Sequence, residues 1–261
     1  MTQCASGSAP AVVLAAAALL LVMANAPPAH AIGLKMPSYI TACKKNDPNL
    51  NECVVKAGRN AIPHFINGDR KYKIPNLNPL TVYDFKVSQG TRSVGLKIHM
   101  KEATVLGLPE LVFESAKVDL KKRHIEWNLK GETISITGIY NVTGNVLILP
   151  ITGQGPANIT LKNCAFNYTF DFDLKKQSDG KDYMKITNSN LKFDTTRVYV
   201  RLENLFNGDR LLGENMNRFI NENWREVTQE IGPTIAGAVA EVFHQILTNI
   251  SDLVPWEYAY V

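Results

Sequence analysis

The sequence predicts an α+β chain in which a large antiparallel sheet with one apolar face precedes a long helical segment. Three observations predict it. Strand-length segments follow one another almost without pause between Leu80 and Leu205, the stretches separating them are short and polar, and from Gly208 onward the apolar residues change to helical spacing.

Residues 11–24, AVVLAAAALLLVMA, form an uninterrupted apolar run, followed by the helix-breaking NAPP and by Ala29-His30-Ala31, small residues in the spacing a signal peptidase accepts. This pattern predicts a secretory signal over residues 1–31 and a single mature domain over residues 32–261. The run falls short of the roughly 20 residues that span a bilayer, and prolines close it. No later stretch is apolar enough to cross a membrane.

Cys4 falls within the signal, which leaves Cys43, Cys53 and Cys164. In an oxidising compartment the close pair in CKKNDPNLNEC favours a disulfide. Tying so short a loop is worth on the order of 2–3 kcal/mol, which suits trimming the entry of a helix better than holding a domain together. Zinc would need about four ligands, and no His or further Cys stands at ligand spacing nearby. Cys164 is left as a buried free thiol in preference to an intermolecular bridge.

After the cysteine pair, LNECVVKAGRNAIPHF reads as a short helix with Val54, Val55, Ala57 and Ile62 apolar and Pro63 near its end. KIPNLNPL is too rich in proline for a regular element. The strand segments then run LTVYDFKV, SVGLKIHMKEATV, AKVDL, RHIEWNLK, TISITGIYNV, NVLILPI, ANITL, AFNYTFDFDL, YMKIT, LKFDT and RVYVRLENL, with TGN, TGQGP and SDGKD read as turns. Apolar parity passes through Ile134, Ile136, Tyr140 and Val142, then Ala157, Ile159 and Leu161, then Phe166, Tyr168, Phe170, Phe172 and Leu174. It changes from odd to even between the last two groups, which predicts a bulge around Asn163-Cys164 and a bend in the sheet. Asn-x-Ser/Thr sequons stand at Asn141, Asn158, Asn167 and Asn249, and the first three occupy the polar parity of their strands, as a glycan requires.

In the C-terminal segment Leu212, Met216, Phe219, Ile220, Trp224, Val227 and Ile231 recur at helical spacing, and Ile235, Val239, Val242, Phe243, Ile246, Ile250 and Leu253 continue the stripe. Gly232-Pro233 is expected to kink or break it. A helix of roughly 40 residues would be near 60 Å long. Either the sheet wraps along that helix, or the helices pair as a bundle and leave a one-faced sheet uncovered.

The net charge is +4, and Lys121-Lys122-Arg123-His124 is the dense basic run; it lies between strand segments without aromatic interleaving, which argues against nucleic acid. Catalytic signatures are absent: there is no Gly-x-Ser-x-Gly, His-Glu-x-x-His or phosphate-binding Gly loop. His64, His99, His124 and His244 are scattered singly. An apolar interior is the chain's main resource. Phe166, Tyr168, Phe170 and Phe172, with Leu96, Ile98, Met100, Trp127 and Val142 on other strands, meet a helix face of Met216, Phe219, Ile220, Trp224 and Phe243. A filled core accounts for most of these residues, but a core of large, flexible side chains can leave a channel. Tyr140 and Tyr168 stand on inward parities where a phenol needs a partner, and Tyr140 is the first choice to meet a ligand's polar end.

The chain resembles the insect takeout and haemolymph juvenile-hormone-binding proteins. The resemblance rests on CKKNDPNLNEC with its following helix, NGDRKYKIPNLNPL, GIYNVTGNVLILPITGQGPANITLKN and LFNGDRLLGENMNRFINENWREV, and it covers nearly the whole mature chain. It implies a highly curved antiparallel sheet wrapped around a long C-terminal helix, the super-roll of the endotoxin-binding and lipid-transfer proteins, with an apolar tunnel for an elongated lipid. It implies that a Cys43–Cys53 disulfide fastens the N-terminal segment beside one end of the roll. It further implies a secreted, glycosylated, monomeric transport protein, without cofactor, metal or stable membrane insertion, whose ligand is juvenile hormone, another terpenoid or a fatty-acid-like lipid, and a link to circadian rhythm. A protein of innate defence that binds microbial lipid with the same fold is the alternative. Asn78 stands before Pro79 where the family usually has an acidic residue, and Cys164 lacks the partner found in dedicated hormone carriers, which places the chain on the takeout branch.

Overall fold

The computed structural model describes residues 33–90 and 95–261, so the signal expected over residues 1–31 lies outside the described residues. Helix α1 (Leu50–Phe65) precedes strands β1 (Leu80–Gly90), β2 (Gly95–Leu106), β3 (Val112–Asp119), β4 (His124–Val146), β5 (Leu149–Lys176), β6 (Asp182–Asp194) and β7 (Arg197–Leu202). Helices α2 (Arg210–Glu222), α3 (Trp224–Ser251) and the short α4 (Trp256–Ala259) follow. The α+β class expected from the pattern is the one found, with every named strand pair antiparallel.

Several segments read as separate strands are continuous. β4 has 23 residues and β5 has 28, and they pair in one unbroken register from His124↔Asp171 to Val146↔Leu149. TGN and TGQGP are therefore not turns. Their glycines instead permit close backbone approach: a Cβ on Gly155 would lie 2.5 Å from the Glu203 carbonyl oxygen, and one on Gly144 would run into the backbone of Gly95. The turn itself is Leu147-Ile148, with Leu147 at a φ of 54° and Ile148 87% exposed. Neither residue carries a turn signal.

The expected change of apolar parity is present, but it occurs in both strands together. In β4 Ile125 is buried on one parity and Ile134, Tyr140 and Val142 on the other, while in β5 the change falls between Ala157 and the Tyr168, Phe170, Phe172 set. Between Gly131 and Thr133, and between Lys162 and Cys164, one residue pair drops out of the ladder, and Asn163 takes a φ of 50°. Because both strands switch faces at the same point, the register survives and a bulge of one strand on the other is avoided.

Each half of the hairpin has its own neighbours. β3 pairs with the first half of β4 and β2 with the second; β7 pairs with the first half of β5 and β6 with the second. Helix α3 packs on β6 and also reaches β1 and β7. Since β1 and β6 end the sheet's main path, a helix touching both means that the sheet is wrapped around it, which excludes the bundle. α3 runs unbroken through Gly232-Pro233, so no break occurs there, and the interruption falls at Asn223, between α2 and α3. Packing along the helix outweighs one hydrogen bond lost at proline, and Gly232 lets the helix lie close to Phe193 of β6. Leu212, placed in the apolar stripe by its spacing, is 50% exposed.

The free edges of the sheet are held by helix side chains. Asn217 of α2 accepts from the Leu202 N–H at 2.8 Å and donates to its carbonyl at 2.8 Å, and Asn221, one turn on, does the same with Val200 at 3.0 and 2.7 Å. Two asparagines four residues apart thus replace a neighbouring strand along β7. On the other side Asn51 of α1 accepts from the Val118 N–H, and Arg59 donates to the Phe113 carbonyl at 2.7 Å.

The Cys43–Cys53 disulfide is formed. Cys43 bridges Tyr260, and the backbone bonds Cys43 N to Ala259 O, Val261 N to Cys43 O and Lys45 N to Val261 O tie the N-terminal segment to the C-terminus. Cys164 is free and buried.

Asn217→Ala leaves the half-buried Leu202 backbone groups without their side-chain partner and should cost about 1 kcal/mol in urea unfolding. Replacing both Cys43 and Cys53 by Ser should lower stability by on the order of 2–3 kcal/mol. In hydrogen exchange the Lys45 and Val261 amides should lose protection while β4 and β5 keep theirs.

Candidate ligand-binding interior

Apolar residues on the concave face gather in two clusters, one in each half of the long hairpin. In the first, Leu96 and Met100 of β2 and Tyr140 and Val142 of β4 pack with Met216 and Ile220 of α2 and Ile231 of α3, and Ile98, Phe219, Val227 and Ile235 pack on them half-buried. In the second, Tyr168, Phe170 and Phe172 of β5 pack with Ile125, Ile186, Leu191 and with Ala236 and Ala240 of α3, and Trp127, Phe166, Val239 and Phe243 lie against them half-buried. Small residues on α3 let it lie close to the aromatic strand. Trp127 meets Phe170 edge-on at 5.1 Å between ring centroids, and Tyr168 stands 5.9 Å from Phe243.

The structure separates the expected site residues. Fourteen of the fifteen join one cluster or the other; Trp224 belongs to neither and instead packs beneath the guanidinium groups of Arg197 and Arg225. Tyr140, the first choice for a ligand's polar end, donates its hydroxyl to the Glu203 carbonyl at 2.7 Å, and burial pushes its pKa up to about 12. Its partner is the protein's own backbone. The orphaned polar groups are elsewhere: the Tyr168 hydroxyl and the Trp127 indole N–H are both buried without a hydrogen-bond partner. Parity along the strands points both residues inward, and the tertiary fold decides which polar atoms are left unpaired.

The exterior carries ion pairs. Arg123 pairs with Asp173 at 2.7 Å and His124 with Asp171 at 2.6 Å, and the Lys122 ammonium lies 3.5 Å from Asp119. His124 holds the Asp171 carboxyl below the usual range. The basic run is thus largely neutralised by its neighbours. No His, Cys, Asp and Glu cluster with metal-binding geometry occurs among the described residues. A cleft of about 930 Å³ opens at the hairpin's face switch, lined by Lys130, Glu132, Thr133, Asn163 and Cys164 among others. Asn141 and Asn158 are exposed. Asn167 is half-buried, donating its amide to Glu126 at 3.0 Å and Asn128 at 2.8 Å, and Asn249 is half-buried on α3.

Since Tyr140 serves the Glu203 backbone, Tyr140→Phe should lower stability by about 1 kcal/mol in denaturant unfolding. Affinity for a bound hydrophobic probe should be unchanged.

Residues 17–260 match the family described as haemolymph juvenile hormone binding protein. The circadian clock-controlled protein daywake of Drosophila melanogaster is 24% identical over 228 residues, covering 85% of this chain and 86% of that protein. A Schistocerca gregaria protein named for β-carotene binding is 22% identical over 145 residues, 55% of this chain and 58% of that protein. Among solved structures, Takeout 1 of Epiphyas postvittana matches with a TM-score of 0.73 and 27% identity, across 85% of this chain and 99% of its own. A sheet wrapped on one long helix, a family match across almost the full sequence and a takeout structure that superposes on it agree: the chain belongs to the haemolymph juvenile hormone binding protein family.

Proposed function

We propose that this protein is a secreted carrier that takes an elongated hydrophobic molecule into the interior of its roll, reversibly and without chemical change. The observation that carries the reading is the partial exposure of inward apolar side chains. Phe219, Val227 and Ile235 in one half, and Trp127, Val239 and Phe243 in the other, pack on buried clusters and yet remain half-buried. Apolar side chains left partly accessible beside a buried cluster can take further apolar contacts. Their sequence around α3 suits a ligand lying along the helix from one cluster to the other.

The ligand class is a terpenoid such as juvenile hormone, or a fatty-acid-like lipid. Burial is worth about 0.8 kcal/mol per CH₂ before the costs of association, so a chain of roughly 15 carbons suffices for micromolar or tighter affinity. The signal-like N-terminus and the Cys43–Cys53 disulfide support secretion, and exposed Asn141 and Asn158 are the best placed of the four sequons for a glycan. The protein acts as a monomer and needs no cofactor.

The test is displacement of a fluorescent fatty acid from delipidated protein by juvenile hormone, by long-chain fatty acids and by lipid A, with the products analysed for hydrolysis. Sub-micromolar competition by hormone or fatty acid, with the ligand recovered intact, is the expected result. A wild-type protein that binds no probe, or that hydrolyses the ester, overturns the proposal.

A further inference from the structure

Among the described residues, four buried side-chain polar atoms lack a hydrogen-bond partner: Gln89 Oε1, Trp127 Nε1, Tyr168 Oη and Thr248 Oγ1. Two of them belong to neighbours. Trp127 and Tyr168 stand directly opposite each other in the β4–β5 ladder, with ring centroids 6.3 Å apart. Tyr168 is 4% exposed, the rings of Phe170, Phe113 and Phe243 pack around the pair, and the Glu241 carboxylate is near enough to act on the phenol. The Ser189 hydroxyl lies near Tyr168 without meeting hydrogen-bond geometry.

The geometry points to the Tyr168 hydroxyl and the Trp127 indole N–H as a polar anchor for an acceptor oxygen, a carbonyl, ester or carboxyl group, carried by the hydrophobic ligand. The inference rests on the carrier reading and adds the chemistry at one end of the ligand. An indole nitrogen can only donate. Burial pushes the Tyr168 phenol up, so it stays protonated and is also available to donate. Two unsatisfied donors on paired residues among aromatic rings match an oxygen with two lone pairs, and they match nothing that a pure hydrocarbon offers. Burying a polar group without a partner is costly, so an occupant that supplies one is favoured over an equal-sized occupant that does not. Tyr140, satisfied by Glu203, has no such vacancy to fill.

Two matched pairs of compounds separate polar from apolar recognition: methyl palmitate with hexadecane, and methyl farnesoate with farnesene, each competed against a fluorescent fatty acid. Wild-type protein should favour the ester of each pair by about tenfold, the worth of one well-made hydrogen bond. Tyr168→Phe should abolish that preference while leaving hydrocarbon affinity within about twofold. Trp127→Phe should reduce it in part. Independently of any variant, the carbonyl stretch of bound methyl palmitate should fall below its value in hexane. Retention of the ester preference in Tyr168→Phe, or an unshifted carbonyl band, overturns the anchor while leaving the carrier intact. Failure of the wild type to bind any of the four compounds or the probe removes the carrier reading, and the anchor with it.

Discussion

The architecture depends on the single register that joins β4 to β5. A slip of one residue anywhere along that ladder would turn every inward side chain of one strand outward. The sheet has to change its buried parity midway, and it does so without a slip because Gly131–Thr133 and Lys162–Cys164 switch faces together. Straight, β5 would be about 90 Å long at the usual rise per residue, whereas α3 with its 28 residues covers about 42 Å. A strand so much longer than the helix it faces has to curve, and the coordinated switch gives it a place to do so.

Curving exposes edges, and this fold closes them with helices. β7 is completed by Asn217 and Asn221, β3 by Asn51 and Arg59, and β1 is tied to α3 by the Gln89 amide, which donates to the Glu230 carbonyl at 2.8 Å. On β7 and β3 a polar side chain on a helix meets strand backbone groups that would otherwise be open to another strand, whereas Gln89 reaches from β1 to the backbone of α3. The same contacts hold α2 and α3 against the concave face, so edge protection and assembly of the interior are one event. The disulfide acts at the periphery of this arrangement. It pins the segment that pairs with the C-terminus, beside Trp256 and Tyr260, whose tilted rings have centroids 4.5 Å apart.

The interior has different characters at its two ends. The Tyr140 half satisfies its phenol internally and presents aliphatic side chains, with Met100 and Met216 able to adapt to different shapes. The Tyr168 half is aromatic and leaves a phenol and an indole N–H unpaired.

Much of this was legible in the residues. Alternation assigned the faces of the strands, helical spacing located α1 and the C-terminal helices, and cysteine spacing with compartment identified the disulfide, because each signal is local and rests on steric periodicity or chain closure. What the residues did not decide was where strands end and which polar groups are met. Gly144, Gly153 and Gly155 look like turn residues, yet they are glycines because another backbone passes close by, while the actual turn is built from Leu147 and Ile148. Gly232-Pro233 reads as a breaker, yet packing along β6 carries α3 through it. Tyr140 and Tyr168 are equivalent by parity, yet one bonds the Glu203 carbonyl and the other has no partner in hydrogen-bond geometry, because satisfaction of the first depends on a segment 63 residues away. Periodicity is a property of neighbours along the chain and the sequence determined it; proximity of distant backbone is not, and only the tertiary structure could decide it.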